Sequence, residues 1–211
     1  MRLIGTYRDP GYDSLADAVM AFFDRRTDLH RSGVAFGDEG PGHPPAKVST
    51  DIILVWLDRG DPEAHGLAEV IMRGVSAGLQ RYLAERPLFL QACPERSLFV
   101  TPLFNLQRYR PGEGFHAWHC DWTTTEEATE PIRRVLAWIL YCNDVPDGGT
   151  EFHWQEHHVE ARRGQLAIFP AGLSHVHRGR VSPTHTKTIA TGWINAGRLD
   201  AYVARLSAGA D

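Results

Sequence analysis

The sequence predicts one mainly β domain with flanking helices, of the β-sandwich or jelly-roll class. From residue 97 onward, seven or eight short runs rich in β-branched and aromatic residues follow one another without intervening helices. Turn sequences such as PGEG, PDGG and RRG separate these runs. The length of 211 residues suits one well-buried core rather than two ordinary domains.

The expected strands lie in the second half of the chain. They are residues 98–109, 115–122, 135–143, 150–154, 165–170, 174–181 and 186–194. An amphipathic helix, RLDAYVARL, is expected after the last of them.

Two helices and one strand are expected before this β region. Residues 14–25 carry apolar side chains at helical spacing, with Ser14 placed as the N-cap. Residues 49–57 are rich in β-branched residues and predict a strand. Asp61 and Pro62 are the N-cap and first-turn signals of a second helix that runs to about residue 86.

Composition and charge narrow the class of protein. The net charge of −4 and the pI near 6.2 provide no basic surface for phosphates, so nucleic-acid binding is not favoured. The N-terminal residues lack a signal-peptide pattern, and no run approaches the ~18 apolar residues of a membrane span. Three widely spaced cysteines without a CxxC motif fit a reducing cytoplasm. Nothing in the sequence indicates an oligomeric state.

The stretch YRPGEGFHAWHCD contains a His-x-Asp triplet, His119 and Asp121. With 11 His and 14 Asp in the chain, chance alone supplies about 0.7 such triplets, so the triplet alone is weak evidence. Residues i and i+2 of a strand point to the same face, and both side chains can therefore enter one cavity. Two histidines and one carboxylate on one face are the ligands of a non-haem iron that keeps positions open for reactants.

A third ligand is required, and the segment FPAGLSHVHRGRVSPTHTK offers two candidates. His175 and His177 again share a strand face. Both could equally be loop or surface histidines.

A longer pattern resembles a known family. Tyr109-x9-His119-x-Asp121 is followed by Tyr141-x-Asn143, GGTEF, FP, HRG, Lys187 and Trp193. The pattern resembles the prolyl 4-hydroxylase-like branch of the Fe(II)- and 2-oxoglutarate-dependent oxygenases. The resemblance covers residues 97–195 and implies a double-stranded β-helix, a jelly roll, for that part.

The resemblance also implies a domain organisation. We expect residues 1–211 to form a single domain, with residues 1–96 as a helical and strand support. Residues 97–195 would then be the jelly-roll catalytic core, and residues 196–211 would form a C-terminal helix.

The resemblance implies roles for particular residues. Family members place a basic residue about ten positions after the distal histidine and a tryptophan six later, and His177 fits this spacing through Lys187. The implied metal-binding and catalytic residues are His119, Asp121 and His177, with His175 as the alternative. Trp193 is expected to pack rather than to bind.

Three residues are expected at the cosubstrate. Lys187 would pair with the far carboxylate of 2-oxoglutarate, because a buried charge is tolerable only when it is paired. Tyr109 and Tyr141 would place hydroxyls around the same molecule, although each could be a plain core tyrosine. Arg178 is expected to hold substrate or cosubstrate, or to form a local salt bridge.

The implied activity is that of a dioxygenase, an oxidoreductase that uses Fe(II), 2-oxoglutarate and O2. It would hydroxylate its substrate and release succinate and CO2, and ascorbate would support the reaction in vitro. The substrate class stays open between prolyl residues of peptides, free amino acids and other small molecules. Its determinants are expected in loops such as residues 37–47 and 122–131.

Two competing hypotheses remain at this point. One is a non-catalytic jelly-roll module that binds a metal or ligand. The other is a hydrolytic or isomerase-type cupin that uses Zn(II) or Mn(II). The buried lysine expected at position 187 argues against the first, because a purely structural metal needs no such cation.

Overall fold

The structure is a computed structural model that describes residues 3–33, 45–93, 96–122 and 134–208. The predicted substrate loops lie outside the described residues, apart from residues 45–47 and Trp122.

Four helices and ten strands are present in the described part of the chain. The helices are α1 (Pro10–Arg25), α2 (Pro62–Glu85), α3 (Pro87–Ala92) and α4 (Leu199–Ala208). The strands are β1 (Gly5–Tyr7), β2 (Arg31–Ser32), β3 (Thr50–Val55), β4 (Leu98–Tyr109), β5 (Arg134–Tyr141), β6 (Val145–Phe152), β7 (His157–Ala161), β8 (Gln165–Pro170), β9 (His177–Gly179) and β10 (Lys187–Ala196).

The strands form two antiparallel sheets. The major sheet has seven strands in the order β1-β8-β5-β10-β4-β3-β2, and the minor sheet has three in the order β7-β6-β9. The prediction of a mainly β protein with flanking helices is confirmed. The N-terminal part of the chain does more than support the core, since β1, β2 and β3 are strands of the major sheet.

The alternation of side chains along the major sheet separates two hydrophobic cores. In β5, Leu136, Trp138 and Leu140 face the helices α1 and α2, and they join the larger core. Ala137, Ile139 and Tyr141 point to the other face and pack with side chains of the minor sheet. This period of two is what a sheet covered on both faces requires. The molecule is therefore layered as helices, major sheet and minor sheet.

The first helix starts earlier than the sequence predicted. Asp9, not Ser14, is the N-cap: its carboxylate accepts from the backbone N–H groups of Gly11 and Tyr12, at 2.8 and 3.2 Å. Pro10 then occupies the first turn, where its missing N–H costs nothing. Ser14 instead donates its hydroxyl to the carbonyl of Pro10 inside the helix. The second helix begins as predicted, with Asp61 as its cap.

One predicted strand and one predicted turn near the candidate site are wrong. Residues 115–122 are not a strand; they form isolated bridges, Lys47 with Phe115 and His119 with His177. The PDGG sequence is not a turn but lies inside β6, where the pairing with β7 is irregular between Val145 and Thr150.

No helix in the described residues is long and apolar enough to span a membrane. The cysteines Cys93, Cys120 and Cys142 form no disulfide. Cys142 is buried, whereas Cys93 and Cys120 are partly buried.

We expect Asp9→Ala to lower the free energy of unfolding by about 1 kcal/mol, because two N–H groups of α1 lose their acceptor. Ser14→Ala is the matched control within the same helix and should change stability by no more than about 0.5 kcal/mol. Urea denaturation of both variants checks the assignment. An equal or larger loss for Ser14→Ala would contradict it.

Candidate metal centre

Three side chains that could ligate one metal ion converge between the sheets. The ligand atoms of His119, Asp121 and His177 all lie within 4.8 Å of one another, and no other such group occurs in the described residues. His119 and Asp121 come from the segment after β4, and His177 begins β9. All three metal ligands implied by the sequence are thus brought together.

Two backbone hydrogen bonds join the segments that carry these residues. The N–H of His119 donates to the carbonyl of His177 at 3.0 Å, and the N–H of His177 donates to the carbonyl of His119 at 2.9 Å. The two histidines are therefore directly opposite one another, a geometry in which side chains share a face.

Both imidazoles have the tautomer that a metal needs. Nδ1 of His119 lies 3.0 Å from the carbonyl oxygen of Ala117, and Nδ1 of His177 lies 2.9 Å from that of His175. A carbonyl can only accept, so each Nδ1 carries a proton, and Nε2 is the nitrogen of each ring that is placed to bind a metal. Burial, with a contribution from His177, lowers the pKa of His119 to about 4. His119 is therefore neutral at physiological pH.

The carboxylate of Asp121 is oriented by an indole. Its Oδ1 accepts a hydrogen bond from Nε1 of Trp193 at 3.0 Å, and its Oδ2 lies 3.4 Å from Nε2 of His177. Trp193, which was expected only to pack, thus also donates a hydrogen bond to the carboxylate of the cluster. Two imidazole nitrogens and one carboxylate oxygen on one face fit Fe(II) of the two-histidine, one-carboxylate type.

Aromatic rings enclose the cluster. Phe115 stacks on His119 with ring centroids 3.8 Å apart. Phe169 and Phe152 pack against His177 at 4.8 and 5.6 Å. These rings fix the imidazoles and make the surroundings of the cluster apolar.

His175, the alternative distal ligand, is buried but is not part of the cluster. Its carbonyl orients His177, and its own Nδ1 lies 3.0 Å from the hydroxyl of Ser174. Desolvation lowers its pKa.

The segment that holds His119 is also fastened on its other side. The N–H of Val48 donates to the carbonyl of Gly114, and the N–H of His116 donates to that of Ala46. Lys47, between them, forms a buried ion pair with Asp51 at 2.5 Å. This attachment gives the segment a fixed position although it belongs to no regular strand.

Lys187 is a buried cation that forms no direct ion pair in the described part of the chain, although the charge of Asp147 acts on it from a longer distance. Lys187 is the first residue of β10, and only 4% of its surface is exposed. Its Nζ donates to the carbonyl of Arg180 at 2.8 Å and lies 5.1 Å from the ring centroid of Tyr109. Burial lowers the pKa of Lys187 to about 8. Such a cation is costly unless an anion joins it.

Gly179 leaves a space beside this ammonium group. A Cβ at position 179 would lie 3.4 Å from Nζ of Lys187 and 3.7 Å from Phe115. Gly179 and His177 are two residues apart on β9 and share a face. The absent side chain thus opens the space between the metal-binding cluster and the lysine.

The two predicted tyrosines are both buried, and their hydroxyls have protein partners. The hydroxyl of Tyr109 donates to Oε1 of Gln107 at 2.6 Å. The hydroxyl of Tyr141 lies 2.7 Å from Oγ1 of Thr150. Burial raises the pKa of both tyrosines, so both are neutral phenols. Tyr109 lies opposite Lys187 in the sheet, which places it nearest to the lysine.

Arg178, next to His177, forms a local salt bridge, one of the two roles predicted for it. Its Nε lies 3.0 Å from Glu151, and its guanidinium lies 4.4 Å from the ring centroid of Trp118. Because Arg178 is the neighbour of an inward-pointing residue on a strand, it faces away from the cluster.

Sequence reasoning missed several residues of the site. Arg134 lies 3.6 Å from the ring centroid of Trp193, and no local motif marks it. The HRG triplet contains Gly179, but nothing in the triplet indicates that the glycine leaves an open space. The buried pair of Lys47 and Asp51 had only its i, i+4 spacing as a signal.

A comparison with protein families gives a match to the part of the chain that carries the candidate metal site. Residues 104–195 match the model of the 2OG-Fe(II) oxygenase superfamily. The matched range contains His119, Asp121, His177 and Lys187. No curated protein sequence matches the chain.

Solved structures share the fold at low sequence identity. A viral collagen prolyl hydroxylase from Paramecium Bursaria Chlorella virus-1, as its 2OG complex, is 16% identical, with 92% of this chain and 97% of that chain covered and a TM-score of 0.65. A prolyl-4-hydroxylase from Pseudomonas putida is 19% identical, with 94% of each chain covered and a TM-score of 0.60. A prolyl hydroxylase from Trichoplax adhaerens, in complex with a hypoxia inducible factor peptide fragment, is 10% identical, with 92% and 83% covered and a TM-score of 0.61.

The fold is therefore the jelly roll of these enzymes, as the resemblance implied. The resemblance to the 2OG-Fe(II) oxygenases that the sequence indicated is supported by this match over residues 104–195. The match indicates a 2-oxoglutarate-dependent oxygenase, a class that uses Fe(II), 2-oxoglutarate and O2.

Lys187→Met should stabilise the protein when no metal or cosubstrate is bound. The pKa of Lys187 is about 8 in the folded chain against 10.5 ordinarily, so the unfolded state binds more protons between these values. The wild-type protein should therefore gain stability relative to Lys187→Met as the pH rises from 8 toward 10.5. Denaturant titrations at about pH 7 and about pH 9.5 measure this difference. A difference that does not change with pH would contradict the burial of an unpaired ammonium group.

Proposed function

We propose that this protein is an Fe(II)- and 2-oxoglutarate-dependent dioxygenase that hydroxylates a peptide or small-molecule substrate. The observation that carries the proposal is the buried cation of Lys187, which forms no ion pair in the described residues, beside a cluster of two imidazoles and one carboxylate. A metal site alone explains the cluster, but not the buried ammonium group. A dicarboxylate that reaches from the metal to Lys187 explains both.

His119, Asp121 and His177 would hold Fe(II). The iron, with 2-oxoglutarate and O2, supplies the oxidation: one oxygen atom enters the substrate as a hydroxyl group and the other enters succinate as CO2 leaves. The protein's part is to bind, orient and exclude water. The rings of Phe115 and Phe169 would shield the metal from solvent on the histidine side.

Lys187 and the two tyrosines would bind the cosubstrate. The ammonium group of Lys187 would pair with the far carboxylate, and this charge pair would restore the usual pKa of the lysine. Tyr109 lies under the same ammonium group, and its hydroxyl can turn from Gln107 to a carboxylate oxygen. Tyr141 would serve as a wall, and its hydroxyl bond to Thr150 ties the two sheets together.

A non-catalytic metal- or ligand-binding jelly roll is the competing function. Such a module would have no use for a buried cation at Lys187. The stability that the protein loses by burying this ammonium group would then serve no function. We therefore favour an enzyme that turns over 2-oxoglutarate.

The proposal names one reaction, hydroxylation, but allows several classes of substrate. Structural neighbours include a collagen prolyl hydroxylase and a peptide-bound prolyl hydroxylase, which supports prolyl or peptide hydroxylation by analogy. A free amino acid or another small molecule remains within the proposal. We further propose a single domain over residues 1–211, with residues 97–195 as its catalytic core, and a cytoplasmic location.

The test of the proposed activity is succinate release. The purified protein with Fe(II), ascorbate and 2-oxoglutarate should form succinate slowly without its substrate, and faster with the right member of a panel of amino acids, proline-containing peptides and cell extract. Lys187→Met should remove the succinate signal. Undiminished succinate formation by that variant would refute the assigned cosubstrate site.

His177→Ala should abolish binding of Mn(II), a redox-stable substitute for Fe(II), as measured by calorimetry. His175→Ala should reduce the affinity less, because alanine keeps the backbone carbonyl that orients His177. A larger loss for His175→Ala would reverse the assignment of the distal ligand.

Gly179→Val should weaken 2-oxoglutarate binding by at least about tenfold while Mn(II) binding stays within about twofold. The valine methyl groups would fill the space between Lys187 and the cluster. Gly179→Ala is the control, since its Cβ makes ordinary contacts. Unchanged 2-oxoglutarate affinity in the valine variant would place the cosubstrate elsewhere.

A further inference from the structure

The carboxylate ligand Asp121 is held by two residues from neighbouring strands of the major sheet. Trp193 of β10 donates its indole N–H to Oδ1 at 3.0 Å. Arg134, the first residue of β5, donates from Nη1 to the backbone carbonyl of Asp121 at 3.3 Å. The guanidinium of Arg134 also lies 3.6 Å from the ring centroid of Trp193. The side chain and the backbone of Asp121 are thus both held by the stacked pair of Trp193 and Arg134.

An irregularity in the sheet accompanies the position of Trp193. The register of β10 against β4 shifts between Gly192 and Ile194, on either side of the tryptophan. Such bulges change the direction in which a side chain points, and they are common beside active sites. Trp193 is partly exposed and packs against the core between the sheets, on the side of the metal-binding cluster.

The chemistry of the donor matters to the metal. A neutral N–H occupies Oδ1 without neutralising the carboxylate, so Oδ2 keeps its negative charge for a cation. A guanidinium bound to the same carboxylate in a fork would occupy both oxygens and compete with the metal. Arg134 is kept from doing so, because its charge lies over the indole face and its hydrogen bond goes to the backbone. A cation over the ring draws electron density from the indole and strengthens its N–H as a donor.

We propose that Trp193, supported by Arg134, is a positioning residue that restricts Asp121 to one-oxygen ligation of the metal through Oδ2. This proposal rests on the proposed metal site and adds the control of its carboxylate ligand. With Oδ1 held by the indole, the carboxylate takes one position on the metal rather than two, which leaves the other positions for cosubstrate and oxygen.

The test compares two tryptophan variants in metal binding. Trp193→Phe keeps a ring beneath Arg134 and removes the N–H. Trp138→Phe is the matched control: Trp138 is fully buried on the adjacent strand, opposite Gly192, and its indole N–H has no hydrogen-bond partner among the residues that the structure describes. Both variants lose the same volume, but only Trp193→Phe loses a bond to Asp121. Thermal unfolding of each metal-free variant reports any loss of folding.

We expect Trp193→Phe to weaken Mn(II) binding by about 10- to 100-fold, the usual effect of losing a partner of a metal ligand, and Trp138→Phe to stay within about threefold of wild type. Arg134→Gln should give a smaller loss, between the two, because the indole N–H remains. The infrared carboxylate bands of the Mn(II)-loaded protein should shift toward two-oxygen ligation in Trp193→Phe alone. Equal Mn(II) affinity in the two tryptophan variants, or unchanged bands, would overturn the proposal.

A failure of the metal site itself would look different. Asp121→Ala should lose Mn(II) binding altogether if the proposed site is right. Full Mn(II) affinity in Asp121→Ala would refute the site and this inference together. Loss of binding in Asp121→Ala with wild-type affinity in Trp193→Phe would refute this inference alone.

Discussion

The candidate site depends on the pair of backbone hydrogen bonds that join His119 to His177. These bonds set two imidazoles opposite one another although the residues are far apart in the chain. On its other side, the segment around His119 is held by the short attachment to residues 46–48. The metal-binding geometry therefore requires both attachments. A loss at either one would move a ligand while the sheets remain intact.

The two sheets contribute different parts of the site. The major sheet, packed on its other face by α1 and α2, carries Lys187, Tyr109 and Trp193 on strands that are paired on both sides. The minor sheet carries His177 and Gly179 on a three-residue strand. The cation and the indole thus belong to the most constrained part of the molecule. The ammonium group of Lys187 stays buried there in spite of its cost in stability, because a well-packed sheet offers the side chain no route to solvent.

Much of the fold could be predicted from the sequence because its signals are local. The apolar period and the Asp61-Pro62 start identified α2, and β-branched runs identified β4, β5 and β8. The failures also have local causes. PDGG has turn composition, but tertiary pairing holds it in β6. The run at residues 115–122, which follows the PGEG turn sequence, predicted a strand, although in the described residues this segment forms only two isolated bridges.

The residues of the candidate site also differ in how far the sequence indicates them. His119, Asp121, His177 and Lys187 follow a spacing pattern along the chain, so the family resemblance indicates them from the amino-acid sequence alone. The hydrogen bond from Trp193 to Asp121 and the stacking of Arg134 depend on strand order and on the bulge in β10. The sequence contains no separate signal for such contacts. The family spacing singles out Trp193, but its hydrogen bond to Asp121 is visible only in three dimensions.

If the metal-binding cluster and Lys187 form a single pocket for 2-oxoglutarate, binding of that molecule must need both. Calorimetric titration of 2-oxoglutarate, with and without Mn(II), into the wild-type protein and Lys187→Met measures this requirement. We expect tight binding only when both Mn(II) and Lys187 are present, with a large loss when either is removed. Equal 2-oxoglutarate affinity in the presence and absence of Mn(II), or in wild type and Lys187→Met, would contradict a shared pocket.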